Sequence, residues 1–258
     1  MLLTGDYHTH TPYSHGKNMV AENVAMAKEK GLQAVAISDH GFSHLAFGIR
    51  RRHLEKFFEE CQAAEEEYGI KVLRGIESNM LGIRGGADLK PEDYEKFDVY
   101  LCGYHVAARY SHFSDWCLNF MGNVLVAHLK FKPSKALIKR NTLSYIHTIE
   151  NNPIDIVTHL SFQCACDTLE VAKCAADHGT YLELNSKKTH LTDEQLMEIV
   201  DKTDVRFVVD SDAHTADRVG DTALVDAQLA RLNFPMDRID NIDGRTPTFR
   251  MAELKKHL

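Results

Sequence analysis

Residues 34–41 read AVAISDHG. The four apolar residues form the pattern of a short buried strand, and a polar segment that includes His40 begins where the strand stops. Helical periodicity precedes this strand over residues 19–30, where Gly31 ends it, and follows the strand over residues 51–68. A buried strand between two amphipathic helices predicts one unit of a parallel sheet, with the polar residues at the carboxyl end of the strand.

The same alternation continues along the chain. Further strands are predicted at residues 2–8, 71–76, 98–102, 154–158, 181–184 and 206–209. Further helices are predicted at residues 91–96, 134–151, 169–178, 192–201, 221–232 and 250–258, whereas residues 107–133 give an irregular, aromatic-rich pattern. Because ligand-type residues follow nearly every strand, a closed barrel is favoured over an open sheet. We therefore predict one α/β domain over residues 1–258, a (β/α)7 barrel with its site at the carboxyl ends of the strands.

Composition narrows the possible classes of function. The 258 residues are 44% hydrophobic and carry a formal net charge of −7, which argues against non-specific binding of nucleic acid. No apolar run is long enough to span a membrane, and the first residues lack the pattern of a secretory signal. The six cysteines form no paired C-x-x-C motif and are expected to be reduced thiols. We expect a cytoplasmic protein that has no membrane partner.

Fifteen histidines are more than packing normally requires, and many of them lie at predicted strand ends. In an extended segment, His8 and His10 point to the same side, so that two imidazoles can bind one cation. The candidate metal ligands are His8, His10, His15, His40, Glu77, His105, His159, Asp212 and His214. Taken singly, each of these residues could instead be an ordinary turn or capping residue that binds no metal. Such a role does not explain why six of seven strand ends share the pattern.

Imidazole and carboxylate groups are ligands that suit Zn, Mn and Fe ions. Seven histidines and two carboxylates are too many for a single ion of this kind, and they suit two or three ions. Metal ions about 3.5–4 Å apart are a recurrent device in phosphoryl chemistry. The ligand set therefore predicts a cofactor of two or three divalent metal ions, an arrangement that suits phosphoryl chemistry on a small phosphorylated substrate.

The order of these motifs resembles that of the PHP (polymerase and histidinol phosphatase) family. H-x-H at residues 8–10 is followed by a further histidine and then by D-H, G-I-E, G-Y-H, T-H and S-D-A-H, and the likeness spans residues 3–220. This resemblance implies a distorted seven-stranded β/α barrel with a trinuclear metal site. The implied reaction is hydrolysis of a phosphate monoester by a metal-bound hydroxide.

The resemblance also implies how the ligands are divided. The first metal ion takes His8, His10, Glu77 and Asp212; the second takes Glu77, His105 and His159; the third takes His15, His40 and His214. The hydroxide is then held by the residues of the first two ions, which are His8, His10, Glu77, His105, His159 and Asp212.

Contacts to the substrate depend on loop residues, many of which are expected to be solvated. The candidates are Lys17 and Arg218, which lie close in sequence to ligand-type histidines, and His44 as a proton donor to the leaving group. Further basic residues in loops near strand ends are Arg50, Arg51, Arg84, Arg109 and Lys187.

Several alternatives stay open from the sequence. A histidinol-phosphate phosphatase of histidine biosynthesis fits the ligand set, as does a phosphoesterase for 3′,5′-bisphosphonucleotides or short oligonucleotides. A metal-dependent amidohydrolase also uses an H-x-H strand in a β/α barrel, and a non-catalytic metal-binding module is a different class again.

Overall fold

Seven parallel strands form one sheet in the computed structural model, which describes residues 1–110, 112–129 and 131–257. The strands follow each other in chain order: β1 Gly5–Thr9, β2 Ala34–Ile37, β3 Lys71–Asn79, β4 Val99–Gly103, β5 Ile156–Val157, β6 Tyr181–Asn185 and β7 Phe207–Asp210. The α-helices are α1 Val20–Glu29, α2 Leu54–Tyr68, α3 Phe113–Asp115, α4 Gly122–Leu129, α5 Lys135–Asn151, α6 Thr168–His178, α7 Asp193–Lys202, α8 Ala223–Leu229 and α9 Arg250–Lys255. This is the predicted seven-stranded β/α barrel.

The barrel closes between β1 and β7, but not by a regular strand ladder. At the carboxyl end, Thr9 forms a parallel bridge with Ala213, just beyond β7. Lower in the seam the side chain of Asn241 stands between the strands, where its Nδ2 donates to Gly5 O (2.9 Å) and to Val209 O (2.7 Å). Its Oδ1 accepts from Val209 N at 2.9 Å. The buried amide of Asn241 thus pairs with backbone groups that would otherwise bond from strand to strand. The barrel is therefore distorted where β1 meets β7.

Alternate side chains of the strands pack into two apolar clusters. In β4, Val99 and Leu101 join an inner cluster that draws on six strands, and Phe249 packs into it against Tyr7 (ring centroids 5.0 Å apart). The intervening Tyr100 and Cys102 join the larger cluster between the strands and the surrounding helices. This period of two is expected of strands that are buried on both faces. The inner cluster fills the lower barrel and leaves the upper end to polar side chains.

Some predicted elements differ in extent from those observed. The strand predicted at 154–158 is observed as β5 over two residues only. Just before it, Asp155 turns its carboxylate to the backbone, where Oδ2 accepts from Tyr100 N (2.8 Å) and Oδ1 from Met251 N (3.0 Å). The irregular pattern over 107–133 contains α3, a π-helix at Trp116–Met121 and α4. The predicted last helix ends at Lys255, and its final residue, 258, lies outside the described residues.

Side-chain caps mark the starts of two helices. Ser134 accepts a hydrogen bond from Leu137 N (3.2 Å) at the start of α5. Thr192 and Gln195 form a reciprocal capping box at the start of α7. Among the described residues, none of the helices combines the length and apolar character that crossing a membrane requires.

Candidate metal centre

The carboxyl ends of the strands bring all nine predicted ligands to one mouth of the barrel. His8 and Glu77 lie within β1 and β3, and His10 directly follows β1. His40, His105, His159 and Asp212 lie two or three residues beyond β2, β4, β5 and β7, and His15 and His214 lie in the adjoining loops. Burial decreases outward: His8, His10 and Glu77 are at most 1% exposed, whereas His15 is exposed. The set is therefore arranged as a buried floor with a solvent-facing rim.

Glu77 lies at the centre of the cluster. Its Oε1 is 2.8 Å from His159 Nε2 and 3.0 Å from His105 Nε2. Its Oε2 is 2.7 Å from His40 Nδ1. One buried carboxylate thus faces imidazoles from three different strand ends, as the predicted role of Glu77 as a shared ligand requires.

A second part of the cluster surrounds Asp212. Its Oδ1 lies 3.4 Å from His10 Nε2 and 3.3 Å from His214 Nδ1. His10 Nε2 is also 3.6 Å from Glu77 Oε2, so His10 joins the two carboxylates. On the rim, the Nε2 atoms of His214 and His15 are 2.7 Å apart, and the rings of His15 and His40 stack with centroids 4.9 Å apart.

Three groups of side chains have ligand atoms close enough to share a cation, all within 4.8 Å of one another. They are His8, His10 and Glu77; His10, Asp212 and His214; and His40, Glu77 and His105. This grouping places His40 with Glu77 and His214 with Asp212, whereas the resemblance assigns both histidines to a third ion with His15. The division of the ligands among the ions therefore stays a prediction.

The donor atoms fit divalent metal ions. Within the described residues, His8 Nε2 and His10 Nε2 are buried and have no hydrogen-bond partner, and His40 Nδ1 and Glu77 Oε2 face each other at 2.7 Å without hydrogen-bond geometry. Leaving a buried polar atom unpaired costs about 1–3 kcal/mol, and a bound cation would offset this cost. Lone pairs of imidazole and carboxylate that converge on common points are what Zn, Mn or Fe would use.

Electrostatics keeps most of the imidazoles in the form that binds metal. Burial lowers the pKa of His10 well below its usual range and that of His40 to about 3, so both rings are neutral at pH 7. Burial opposes ionisation of Glu77, but the surrounding imidazoles, first among them His105, outweigh it and lower the pKa of Glu77 well below its usual range. Burial also opposes protonation of His8, but the carboxylates of Glu77 and Glu183 outweigh it and raise the pKa of His8 well above its usual range, so His8 would bind metal by releasing the proton of Nε2. The centre thus presents an ionised Glu77 beside the neutral rings of His10 and His40.

Sequence reasoning missed a carboxylate in β6. Glu183 Oε1 is 2.5 Å from His8 Nδ1, and Glu183 Oε2 accepts from His159 N at 2.6 Å. Since a carboxylate only accepts, the proton of His8 lies on Nδ1 and the lone pair of Nε2 faces the cluster. A glutamate in the middle of the short apolar strand YLELN was the available signal.

A similar relay orients His10. Ser14 Oγ donates to Asp39 Oδ1 and lies 3.4 Å from His10 Nδ1. Because its own hydrogen is committed to Asp39, Ser14 can only accept from His10, which again leaves Nε2 free for the cluster. Asp39 also accepts from Thr11 N at 2.8 Å. The carboxylate therefore fixes the loop after β1 and acts on the imidazole through Ser14.

Two of the predicted ligands have a strained backbone conformation. His159 and Asp212 have φ values of 34° and 48°, a region that non-glycine residues rarely adopt. Beside His159, a Cβ at Gly103 would lie 2.6 Å from His159 Cε1 and 2.3 Å from Thr158 Oγ1. Only glycine at this position lets the ring reach Glu77.

The predicted substrate residues are placed differently from one another. His44 joins the rim, with its ring stacked on His40 (centroids 4.7 Å apart). The side chain of Arg218 is held by Asp221 (2.6 Å) and by Ser186 O (3.1 Å). Lys17 is exposed, and its backbone N donates to His214 O at 2.9 Å. The substrate roles of all three residues stay predictions.

Two other polar residues approach the centre. Lys187 Nζ lies 3.2 Å from Asp212 Oδ1 and 3.1 Å from His214 Nδ1, with the side chain 46% exposed. The ring of His190 lies 5.8 Å from that of His159, across Phe162. Lys187 was among the loop cations that the sequence identified, whereas His190 was not among the predicted site residues.

Comparison with known proteins gives the family. The sequence profile of the PHP domain matches residues 6–187, most of the chain. The chain belongs to the PHP family. Relatives of similar length are a "Probable phosphatase" of Shewanella pealeana, 27% identical over 96% of this chain and 91% of the relative, and a "Probable phosphatase" of Caldanaerobacter subterraneus, 28% identical over 93% and 88%.

Among solved structures, this chain is similar to a histidinol phosphate phosphatase of Lactococcus lactis complexed with zinc, L-histidinol and phosphate. The TM-score is 0.61 at 14% identity, and the match covers 97% of this chain and 98% of that one. At this identity the likeness concerns the fold. The comparisons confirm the predicted family, the predicted barrel and the predicted enzyme class, a metal-dependent phosphatase.

Proposed function

We propose that this PHP protein hydrolyses the phosphate monoester of a small metabolite, and that the nine predicted residues hold two or three divalent metal ions for this reaction. The observation that carries the proposal is the set of buried, unpaired ligand atoms around Glu77. A storage site would enclose its metal ions, whereas His15 and Lys187 lie at an exposed rim that a substrate can reach.

Metal ions bound by these ligands would activate water and neutralise phosphate oxygens. The chain itself supplies orientation and charge. Glu183 and the Ser14–Asp39 relay fix the tautomers of His8 and His10, so that both imidazoles offer Nε2 to the centre. The ammonium group of Lys187 places a positive charge at the mouth, where it attracts the phosphate group of the substrate.

In this proposal His44 contacts the leaving group. Its Nδ1 accepts from Phe47 N at 3.0 Å, so that the ring carries its proton on Nε2. Its stacking on His40 holds it at the solvent side of the cluster. A donor at this position stabilises the negative charge that develops on the leaving oxygen.

The proposal is tested by removal of single ligands. His10→Ala and His105→Ala each delete an imidazole that faces Glu77, and we expect both variants to lose bound metal and most phosphatase activity while the barrel stays folded. His257→Ala, at an exposed position in the chain terminus, is the matched control and should keep both. Metal content is measured by elemental analysis and folding by circular dichroism. Normal metal content and normal rates in both ligand variants would contradict the assignment.

A further inference from the structure

A separate pocket of about 650 Å³ adjoins the metal centre. It lies between the loop that follows β2 and the loop that follows β4. Its lining includes His44 and Phe47 from the first loop, Arg50 and Arg51 before α2, and Arg109 from the second loop. The pocket opens to solvent beside the rim, outside the nine metal ligands.

The pocket is strongly basic. Three arginines line it, and none of its lining residues is an aspartate or a glutamate. Arg51 is bound through both terminal nitrogens to Asp93 at 2.8 Å and stacks over Phe42 at 4.1 Å, which fixes it in place. Arg50 and Arg109 are exposed, and no carboxylate of the described chain pairs with either guanidinium group. Two uncompensated cations therefore face one cavity.

The backbone of the pocket is fixed before any ligand binds. Leu45 N donates to Ala107 O and Arg109 N donates to Ser43 O, both at 2.8 Å, so the two loops are joined. The first loop also folds tightly on itself: a Cβ at Gly48 would lie 2.5 Å from Gly41 O. Because main-chain hydrogen bonds fix the two loops, less conformational entropy is lost when a ligand binds between them, which favours binding.

The pocket shares a wall with the metal centre. His44 stacks on His40, and Phe47 stacks on His15 with ring centroids 4.6 Å apart. One layer of aromatic rings thus separates the basic pocket from the predicted ligands. A single small molecule can place one group at the metal centre and another in the pocket.

We propose that this pocket binds a second anionic group, a phosphate or a carboxylate, of the substrate whose phosphate ester lies at the metal centre. The inference rests on the proposed phosphatase function and names its substrate class: small phosphate esters with two anionic groups. Arginine suits this role because its planar guanidinium group binds phosphate and carboxylate oxygens in pairs.

The test compares three substrates with the same alkyl chain: an ω-hydroxyalkyl phosphate, an ω-carboxyalkyl phosphate and an alkanediol bisphosphate, over a series of chain lengths. With the full chain reconstituted with manganese, kcat/KM should be at least about tenfold higher for a doubly anionic substrate than for the hydroxyalkyl phosphate. A preference between carboxylate and bisphosphate identifies the second group. Equal kcat/KM for all three at every length would overturn the proposal.

Arg50→Gln and Arg109→Gln should each lower kcat/KM for the preferred substrate by about tenfold and leave the hydroxyalkyl phosphate unaffected. Arg231→Gln is the matched control, because Arg231 is exposed and pairs with Asp193, and neither residue lines the pocket. Loss of rate on all substrates alike would instead show a structural role and contradict the proposal.

Binding of unhydrolysable analogues separates this inference from the proposed function. An alkane bisphosphonate should bind at least about tenfold more tightly than the matching monophosphonate in calorimetry, and Arg50→Gln and Arg109→Gln should remove the difference. If no phosphate ester is hydrolysed but this preference is found, the pocket stands and the phosphatase assignment fails. If hydrolysis is found but the bisphosphonate binds no more tightly, the pocket proposal fails alone.

Discussion

Replacement of Glu183 by glutamine tests how the chain prepares His8 for metal. Glu183 Oε1 lies 2.5 Å from His8 Nδ1, and both side chains are fully buried. Because the carboxylate accepts only, it holds the proton on Nδ1 and directs the lone pair of Nε2 towards Glu77, 3.4 Å away. Glutamine has nearly the same shape, but it removes the charge and can present its amide hydrogens to the ring.

The magnitude follows from the hydrogen bond that is lost. A hydrogen bond to a charged group contributes about 1.5–3 kcal/mol, and loss of such an outer partner of a metal-binding histidine weakens metal affinity by about 10–100-fold. We expect a loss of that size for zinc or manganese in Glu183→Gln, measured by competition with a chelator of known affinity. Glu198→Gln, which alters an exposed pair with Lys202 on α7, should bind metal normally. Unchanged metal affinity in a folded Glu183→Gln protein would refute the reasoning.

Three further predictions concern stability. Asn241→Ala removes three buried hydrogen bonds at the seam between β1 and β7 and should lower the free energy of unfolding, measured with urea, by about 2–4 kcal/mol. A loss below about 0.5 kcal/mol would show that these hydrogen bonds do not stabilise the seam. The hydrogen bonds of Arg51 lower the pKa of Asp93 to about 2, so Asp93→Asn should lower the free energy of unfolding by about 1–2 kcal/mol at pH 7. The difference from the wild-type protein should disappear as the pH falls from about 4 to 2, and a difference that does not vary with pH would contradict the ion pair as its source. Manganese at 100 times its dissociation constant should stabilise the wild-type protein by about 2.7 kcal/mol and raise its melting temperature, and a chelator should reverse both effects. An unchanged melting temperature in a metal-loaded sample would argue against a metal site specific to the folded state.

The clustering of the nine predicted ligands at one mouth of the barrel could be predicted because it depends on a regularity that the sequence displays. In a parallel barrel every strand ends at the same mouth, so polar residues that directly follow apolar runs are brought together whatever their distance along the chain. His8 and His159 are separated by 151 positions, yet their rings lie 6.2 Å apart. The motif order added the family, which the comparisons confirm over residues 6–187.

The supporting residues could not be predicted in the same way. Glu183 lies inside β6, where alternation alone does not tell an inward-facing position from a solvated one. Asn241 comes from a segment with no clear periodicity, and its role appears only when β1 and β7 are seen side by side. Among the loop cations, Lys187 and Arg218 look alike in sequence, but Arg218 is held by Asp221 while Lys187 reaches Asp212. Which ion pair each cation forms depends on the geometry of its loop, and the spacing of residues in the sequence does not give that geometry.

Phosphate release by the purified protein tests the central claim most directly. The protein is stripped of metal and reconstituted separately with manganese and with zinc. It is then assayed on p-nitrophenyl phosphate, histidinol phosphate and a nucleoside 3′,5′-bisphosphate, each with and without a chelator. The account predicts release that depends on metal and stops on chelation. No release from any of these substrates, in a sample shown to carry metal at the nine-residue site, would contradict it.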